Sequence, residues 1–297
     1  MFRLFAVAIL LIACGVFAQV EFPLGSEVVN VKKAPYNAKG DGKTDDTEAI
    51  QKALNDHPDG DYIIYLPHGI YKIKERLSWP ATEKSPQSFR RTILQGQSIG
   101  GTIIALADST YGFDNADFPK AVIYTGEGPE IRIRNAIRDL TIRTGKGNPG
   151  AIGIQFNAAQ QGTINNVKVY SGDSSGLYGI DLSFTEKIGP LLLKNVEVQG
   201  FDVGVYVAGS TNGITMEHVT LGGQKKYGLE NNNQVVSARG LRFKGSVPAV
   251  YNHGPDASMT IVDGTLEYNT TKKAMKTTAI VNESQLFARS INCSKFS

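Results

Sequence analysis

Cysteine is nearly absent from this chain. The 297 residues contain only Cys14 and Cys293, and Cys14 lies within an apolar leader. Removal of that leader leaves a single cysteine, so no intrachain disulfide can brace the body of the protein and its stability must come from core burial. Charge of one sign is lacking too. Lys and Arg number 31 against 28 Asp and Glu, a net charge of +3, and the basic residues are scattered. That distribution gives no grip on nucleic acid, although it would tolerate an acidic polysaccharide. Of the four histidines, His218 and His253 fall on different repeats and do not suggest a metal pair. Long hydrophobic runs are missing beyond the first residues, and helix-length amphipathic stretches are missing from residue 137 onward. The second absence excludes the βαβ crossovers of ordinary parallel folds.

The chain opens with "MFRLFAVAILLIACGVFAQ", in which Arg3 precedes an apolar run from Leu4 to Ala13 that is too short to span a bilayer. This predicts a secretory signal over residues 1–18. "LIAC" offers the alternative of a lipoprotein signal ending at Cys14, with the protein lipid-anchored there. Either way the protein works outside the cytoplasm. No boundary interrupts residues 19–297, which read as a single domain large enough for one sizeable core.

From residue 137 one pattern recurs: a polar or small residue, then apolar, any, apolar. It reads "DLTI" at 139–142, "NVKV" at 166–169, "NVEV" at 195–198, "HVTL" at 218–221, "GLRF" at 240–243, "DGTL" at 263–266 and "SINC" at 290–293, with spacings of 22 to 29 residues. A second pattern interleaves with it: "GIQF" at 153–156, "GIDL" at 179–182, "GVYV" at 204–207, "GLEN" at 228–231, "AVYN" at 249–252 and "AIVN" at 279–282. Each segment alternates with period two and is a short half-buried strand. Two strands per repeat, joined by short polar turns, predict a solenoid whose equivalent strands pair in parallel from coil to coil at about 4.8 Å. The fold class is therefore all-β, a parallel β-helix solenoid. Ile154, Ile180 and Val205 should share one inward file. The last position of the second pattern changes from Phe156, Leu182 and Val207 to Asn231, Asn252 and Asn282, which predicts an asparagine ladder.

"NAKGDGKTDDTEAIQKAL" at 37–54 leads into a short amphipathic helix with Ala49, Ile50, Ala53 and Leu54 on one face, and Pro58 ends the run. Asp45 and Glu48 fit a capping box. A solenoid exposes open core at its end, so this segment reads as an amino-terminal lid and its acids as structural. The same residues, together with "YLPHGIYKI" at 65–73, closely resemble the amino-terminal signature of the rhamnogalacturonase/epimerase-like pectate lyase superfamily. The resemblance implies a single-stranded right-handed β-helix, mostly extracellular, in a group of polysaccharide hydrolases, lyases, exo-1,3-glucanases and phage tailspike-like proteins. The polygalacturonase-type set "NTD", "DD", "GHG" and "RIK" is absent, and "NHG" at 252–254 is a partial echo. The resemblance thus carries architecture and substrate class, and no catalytic residue list.

The third position of the second pattern faces outward, giving the column Gln155, Asp181, Tyr206, Glu230, Tyr251 and Val281. Tyrosine faces stack on pyranose rings and carboxylates do acid–base work. Asp181 and Glu230, two coils apart, are the candidate catalytic pair, and Gln155, Tyr206 and Tyr251 the candidate substrate contacts; an ordinary solvated face is the alternative. The equivalent column of the first pattern, Thr141, Lys168, Glu197, Thr220 and Arg242, with Lys194, Arg239 and Lys244 beside it, reads as a basic strip for a polyuronate or as a salt-bridged surface. No cofactor is expected; Asp108, Asp114 and Asp117 offer oxygen ligands for calcium without indicating it. The chain stops four residues after its last repeat with no capping helix, which predicts an open carboxyl end and self-association through it. The expected partner is a polysaccharide of pectic or β-glucan type, acted on by a hydrolase in preference to a lyase. The alternatives are a non-catalytic glycan-binding or structural β-helix, or an inactive amino-terminal portion of a longer enzyme.

Overall fold

The computed structural model describes residues 20–23, 25–58, 60–80, 91–128, 132–183, 188–209, 212–269 and 277–296. The leader with its two processing alternatives lies outside the described residues, as does most of the polar insertion at 80–91. Apart from one helix, the regular structure of the described chain is strand, wound into a parallel β-solenoid of about eight turns.

Each complete coil carries three strands rather than two. The eight-stranded sheet holds the second sequence pattern, from Leu77–Ser78 through Ala151–Gln155, Tyr178–Leu182, Val203–Ala208, Tyr227–Asn232 and Val250–His253 to Ile280–Asn282. The 17-stranded sheet bends into two faces. One bears the first sequence pattern. The other, missed in the sequence, comprises segments such as Ile214–Glu217, Val235–Arg239 and Ser258–Val262. The coils are prisms of three faces, called here first (Ile214–Glu217 and its equivalents), second (the first pattern) and third (the second pattern).

The polar or small residue that opens the first pattern is the corner between the first and second faces. Asp139, Asn166, Asn195, His218, Gly240, Asp263 and Ser290 all have left-handed backbone, with φ from 51° to 69°. Asparagine, aspartate and glycine tolerate that conformation best, which explains a polar column beside a hydrophobic core. The Asn166 side-chain amide donates to Asp139 Oδ1 at 2.8 Å, linking two corners along the axis. The small residue opening the second pattern has a steric cause instead. A Cβ at Gly153, Gly179 or Gly228 would lie under 3.0 Å from Val169, Val198 or Phe243 and from the carbonyl of the next coil.

Ile154 pairs with Ile180 and Ile180 with Val205, all wholly buried, so the predicted inward file exists. The core runs without a break from Val31 to Leu266. Along its third-face edge, Phe156, Leu182 and Val207 give way to the asparagine ladder. Asn231 Nδ2 donates to Asn252 Oδ1 at 2.8 Å, and Asn252 Nδ2 to Asn282 Oδ1 at 2.7 Å. The same amides also donate to the carbonyls of Gln234 and Gln285, so the turns are tied to the stack.

The helix spans Thr47–Asp56 and buries Ile50, Ala53 and Leu54. It is the expected lid, but the capping box does not form: the N-cap is Asp46, without a side-chain bond to the helix. Asp46 instead accepts from the backbone N–H groups of Lys39 (2.6 Å) and Gly40 (2.8 Å), and Asp45 accepts from Thr47. Asp41 accepts from the N–H groups of Lys43 and Thr44, which hold its carboxyl at about 2, so these acids shape the turn. Gln51 performs the closure of the third face. Its amide donates to the Ser78 carbonyl and accepts from the Ser78 N–H, both at 2.8 Å, as a neighbouring strand would. A side chain thereby satisfies the edge strand Leu77–Ser78.

The ladder sets a stability test. Asn252→Ala should cost about 2–4 kcal/mol, because it removes a wholly buried amide that bonds both neighbours and strips the buried Asn231 of its ladder partner, whereas Asn282→Ala, at the exposed end, should cost under about 1 kcal/mol. Urea denaturation of the two variants gives the comparison; equal costs would mean that the stacked amides are not coupled.

Candidate functional site

Asp181, Tyr206, Glu230 and Tyr251 occupy successive register positions on the third face, preceded by Gln155 and followed by Val281. The column predicted from alternation is therefore a real row, about 4.8 Å per step. Its members differ sharply in environment. Asp181 is only 3% exposed although its position faces away from the core. Its Oδ2 accepts from Gln155 Nε2 at 2.7 Å, and its Oδ1 from the Ser183 backbone N–H at 2.9 Å and hydroxyl at 2.5 Å. Burial outweighs these bonds and pushes its carboxyl above the ordinary value. Gln155 is thus committed to orienting Asp181.

Glu230, half-buried, faces His253, with 3.1 Å between Oε1 and Nε2. The tyrosines stack on protein groups rather than standing alone. Tyr178 and Tyr206 lie face to face at 4.7 Å and 17° between planes. Tyr227 packs on Tyr251 at 4.8 Å, and Tyr251 stacks on His253 at 4.1 Å and 13°. The Tyr251 hydroxyl donates to Glu283 at 3.1 Å. What these side chains offer a ligand is edges and hydroxyls, with ring faces largely taken up by neighbours.

Tyr178, Tyr227 and His253 were missed as site residues. They sit just outside the four-residue pattern, one residue before it or after it, and only the three-dimensional stacking brings them into the row. Burial raises the Tyr178 phenol well above its ordinary value, with further contributions from Tyr206, Asp181, Glu230 and Asp202, so its hydroxyl shares one electrostatic environment with both candidate acids. Acidic side chains predominate around the row: Asp181, Asp202, Glu230 and Glu283 against Lys226, which is paired with Asp202 at 2.8 Å.

The column on the second face is salt-bridged in part, as its interleaved charges suggested. Lys168 pairs with Glu197 at 2.8 Å and Lys244 with Glu267 at 3.5 Å. Lys194 and Arg239 stand before the corner, on the first face, paired with Glu217 and Asp263. Among the described residues no group of three His, Cys, Asp or Glu side chains could hold a metal ion. Asp108 and Asp114 spend a carboxylate oxygen on the backbone N–H groups of Lys146 and Gly112. No helix among them is long and apolar enough to cross a membrane.

Residues 28–276 match the family described as rhamnogalacturonase A/epimerase, pectate lyase-like. A probable rhamnogalacturonase A of Aspergillus oryzae is 25% identical over 195 residues, 62% of this chain and 41% of the relative. Alginate lyase 7 of Azotobacter vinelandii is 31% identical over 159 residues, 48% of this chain and 17% of the relative. This chain spans less than half the length of either. Among solved structures, the amino-terminal fragment of bacteriophage phi29 gene product 12 superposes with a TM-score of 0.60 at 19% identity, over 89% of this chain and 47% of that one, a likeness of fold.

The raised carboxyl of Asp181 has a consequence for stability. Because its folded pKa lies above the unfolded one, its contribution is fully present below the ordinary carboxylate range and is lost as pH rises through the folded value. Asp181→Asn should therefore raise Tm near neutral pH and leave it unchanged in acid. Thermal melts across pH measure this; a Tm lowered near neutral pH and restored in acid would show that the carboxylate is held ionised.

Proposed function

The chain belongs to the rhamnogalacturonase A/epimerase, pectate lyase-like family, and from that premise we propose that it acts on a polysaccharide laid along the third face. The observation that carries this reading is the in-register row Asp181–Tyr206–Glu230. Two coils separate the acids, about 10 Å between backbones. From there the carboxyl groups can close to the ~6.5–9.5 Å at which one acid protonates a leaving oxygen and the other activates water. Asp181, whose burial favours the protonated form, is the general acid. Glu230, beside His253, is the base. Tyr206 stands between them in register, and the Tyr178 phenol beside them donates to the sugar ring.

Hydrolysis is favoured over elimination by the chemistry of the face. A lyase acting on a polyuronate needs cations to neutralise the substrate carboxylate, and this face is dominated by acids. A neutral, β-glucan-type chain fits it better than a pectic one. The leader expected from the sequence supports a location outside the cytoplasm, where such polymers are met. One observation favours a second reading, glycan binding without catalysis: both Asp181 oxygens are already occupied by Gln155 and Ser183.

Reducing-end release from barley β-glucan and other neutral polymers, beside ultraviolet detection of unsaturated products from pectic ones, separates these classes. Asp181→Asn and Glu230→Gln should each lower hydrolysis by ~10²–10⁴-fold, the usual worth of a general acid or base. Turnover unaffected by both substitutions would move the chemistry off this face, and binding of glucan without product would establish the second reading.

A further inference from the structure

The second face carries a groove that the proposed activity does not use. Two adjoining cavities of about 540 and 760 Å³ share Gln199 and Gly223 and together run along the solenoid axis from Thr141 to Asn269. Their floor follows the register Thr141, Lys168, Glu197, Thr220, so that the groove crosses about five coils, on the order of 20 Å. Gly222 falls in the parallel outward row Tyr170, Gln199, Gly222, Lys244. A Cβ there would lie 2.7 Å from Gln199 Oε1, so the amide of Gln199 lies across the gap that the glycine leaves.

Its polarity is opposite to that of the acid row. Lys168 is neutralised by Glu197, and Glu267 is shared between Lys244 and Lys295. Lys225 in the wall and Arg242, in register beside Thr220, have no acidic partner among the described residues and stand exposed. The remaining lining mixes hydroxyls and amides, such as Ser171 and Gln199, with the Tyr170 ring and the apolar side chains of Ile99, Ile103 and Val247. We infer that this groove is a second glycan site, which holds an anionic saccharide chain, carboxylated or sulfated, without cleaving it. The hydroxyl and amide floor matches sugar hydroxyls, the unpaired cations match the anions, and the coil repeat supplies a contact for each successive ring. Glu197 and Glu267 interrupt the cations, which suits charges borne singly on sugars and disfavours a phosphate backbone charged at every step. Among the described lining residues Glu197 is the one carboxylate, so the groove is assigned to binding.

This inference does not rest on catalysis at the acid row, and the two fail separately. The full chain is run in native gels containing polygalacturonate, dextran sulfate, barley β-glucan or duplex DNA. Retardation by at least one anionic polysaccharide, weakening as salt rises, is expected. The double variant Lys225→Glu/Arg242→Glu should bind it about tenfold or more weakly. Asp181→Asn should bind it unchanged, and so should Lys43→Glu, a charge reversal on the exposed turn before the lid. Lys225 lines the groove and Arg242 stands beside it in register with Thr220; both are exposed, so melting temperatures should match wild type and exclude misfolding. Which of the two anionic polymers binds identifies the carboxylated or sulfated ligand. The inference is overturned by retention of neither, by equal weakening in Lys43→Glu, by dependence on Asp181, or by tighter retention on DNA.

Discussion

One constraint governs this molecule: each coil must lie over its predecessor so that equivalent residues stack along the axis. The backbone ladder fixes that spacing at about 4.8 Å, and every inward side chain then meets its own counterpart above and below. Branched aliphatic residues satisfy this by packing, as Ile154, Ile180 and Val205 do. Asparagines satisfy it by hydrogen bonding, as Asn231, Asn252 and Asn282 do. Where two elements approach too closely for any side chain, as at Gly179 beneath Val198, only glycine remains. The repeats recognisable in the sequence are this one constraint expressed in three chemistries.

The same constraint explains what could be read before the structure and what could not. The inward file, the ladder and the lid were legible because each leaves a periodic or amphipathic trace. The first face was not, although Ile214, Met216, Val236, Ala238, Met259 and Ile261 alternate as clearly as any strand. Only one left-handed residue separates that strand from the next in coils such as those of Asn166 and Asn195, so two strands read as one stretch with a polar flaw. The capping box failed for a related reason. Asp45 and Glu48 have the right spacing, but Asp46 is recruited by Lys39 and Gly40 across the turn, a contact without local signature.

Outward positions obey no such rule, which is why function was harder to read than fold. A side chain that faces solvent can change without disturbing the register, so each face acquires its own chemistry. The third face gathers Asp181, Asp202, Glu230 and Glu283, while Arg242 on the second face and Lys225 in the turn beyond it have no acidic partner among the described residues. The alternation of acids and tyrosines on the third face was visible in the sequence. The mutual stacking of Tyr178 with Tyr206, and of Tyr251 with His253, was not, because it joins residues three places apart in register or two apart in sequence.

Three charged residues are nearly fully buried among those described: Asp46, Arg132 and Asp181. Burying a charge is costly unless it secures something. Asp46 ties the turn at Lys39 and Gly40 to the lid. Arg132 donates to the carbonyls of Glu127 and Pro80, the second 52 residues away, and so fastens two distant segments. Asp181 fastens nothing comparable. Gln155 is already its partner in the backbone ladder, and Ser183 is two residues along the same strand end. A neutral side chain of similar size would leave the fold connected as before, yet the position holds an acid whose surroundings favour its proton. Departures from local rules without a structural return cluster at functional sites. Of the three buried charges, Asp181 is the one whose presence the architecture does not require.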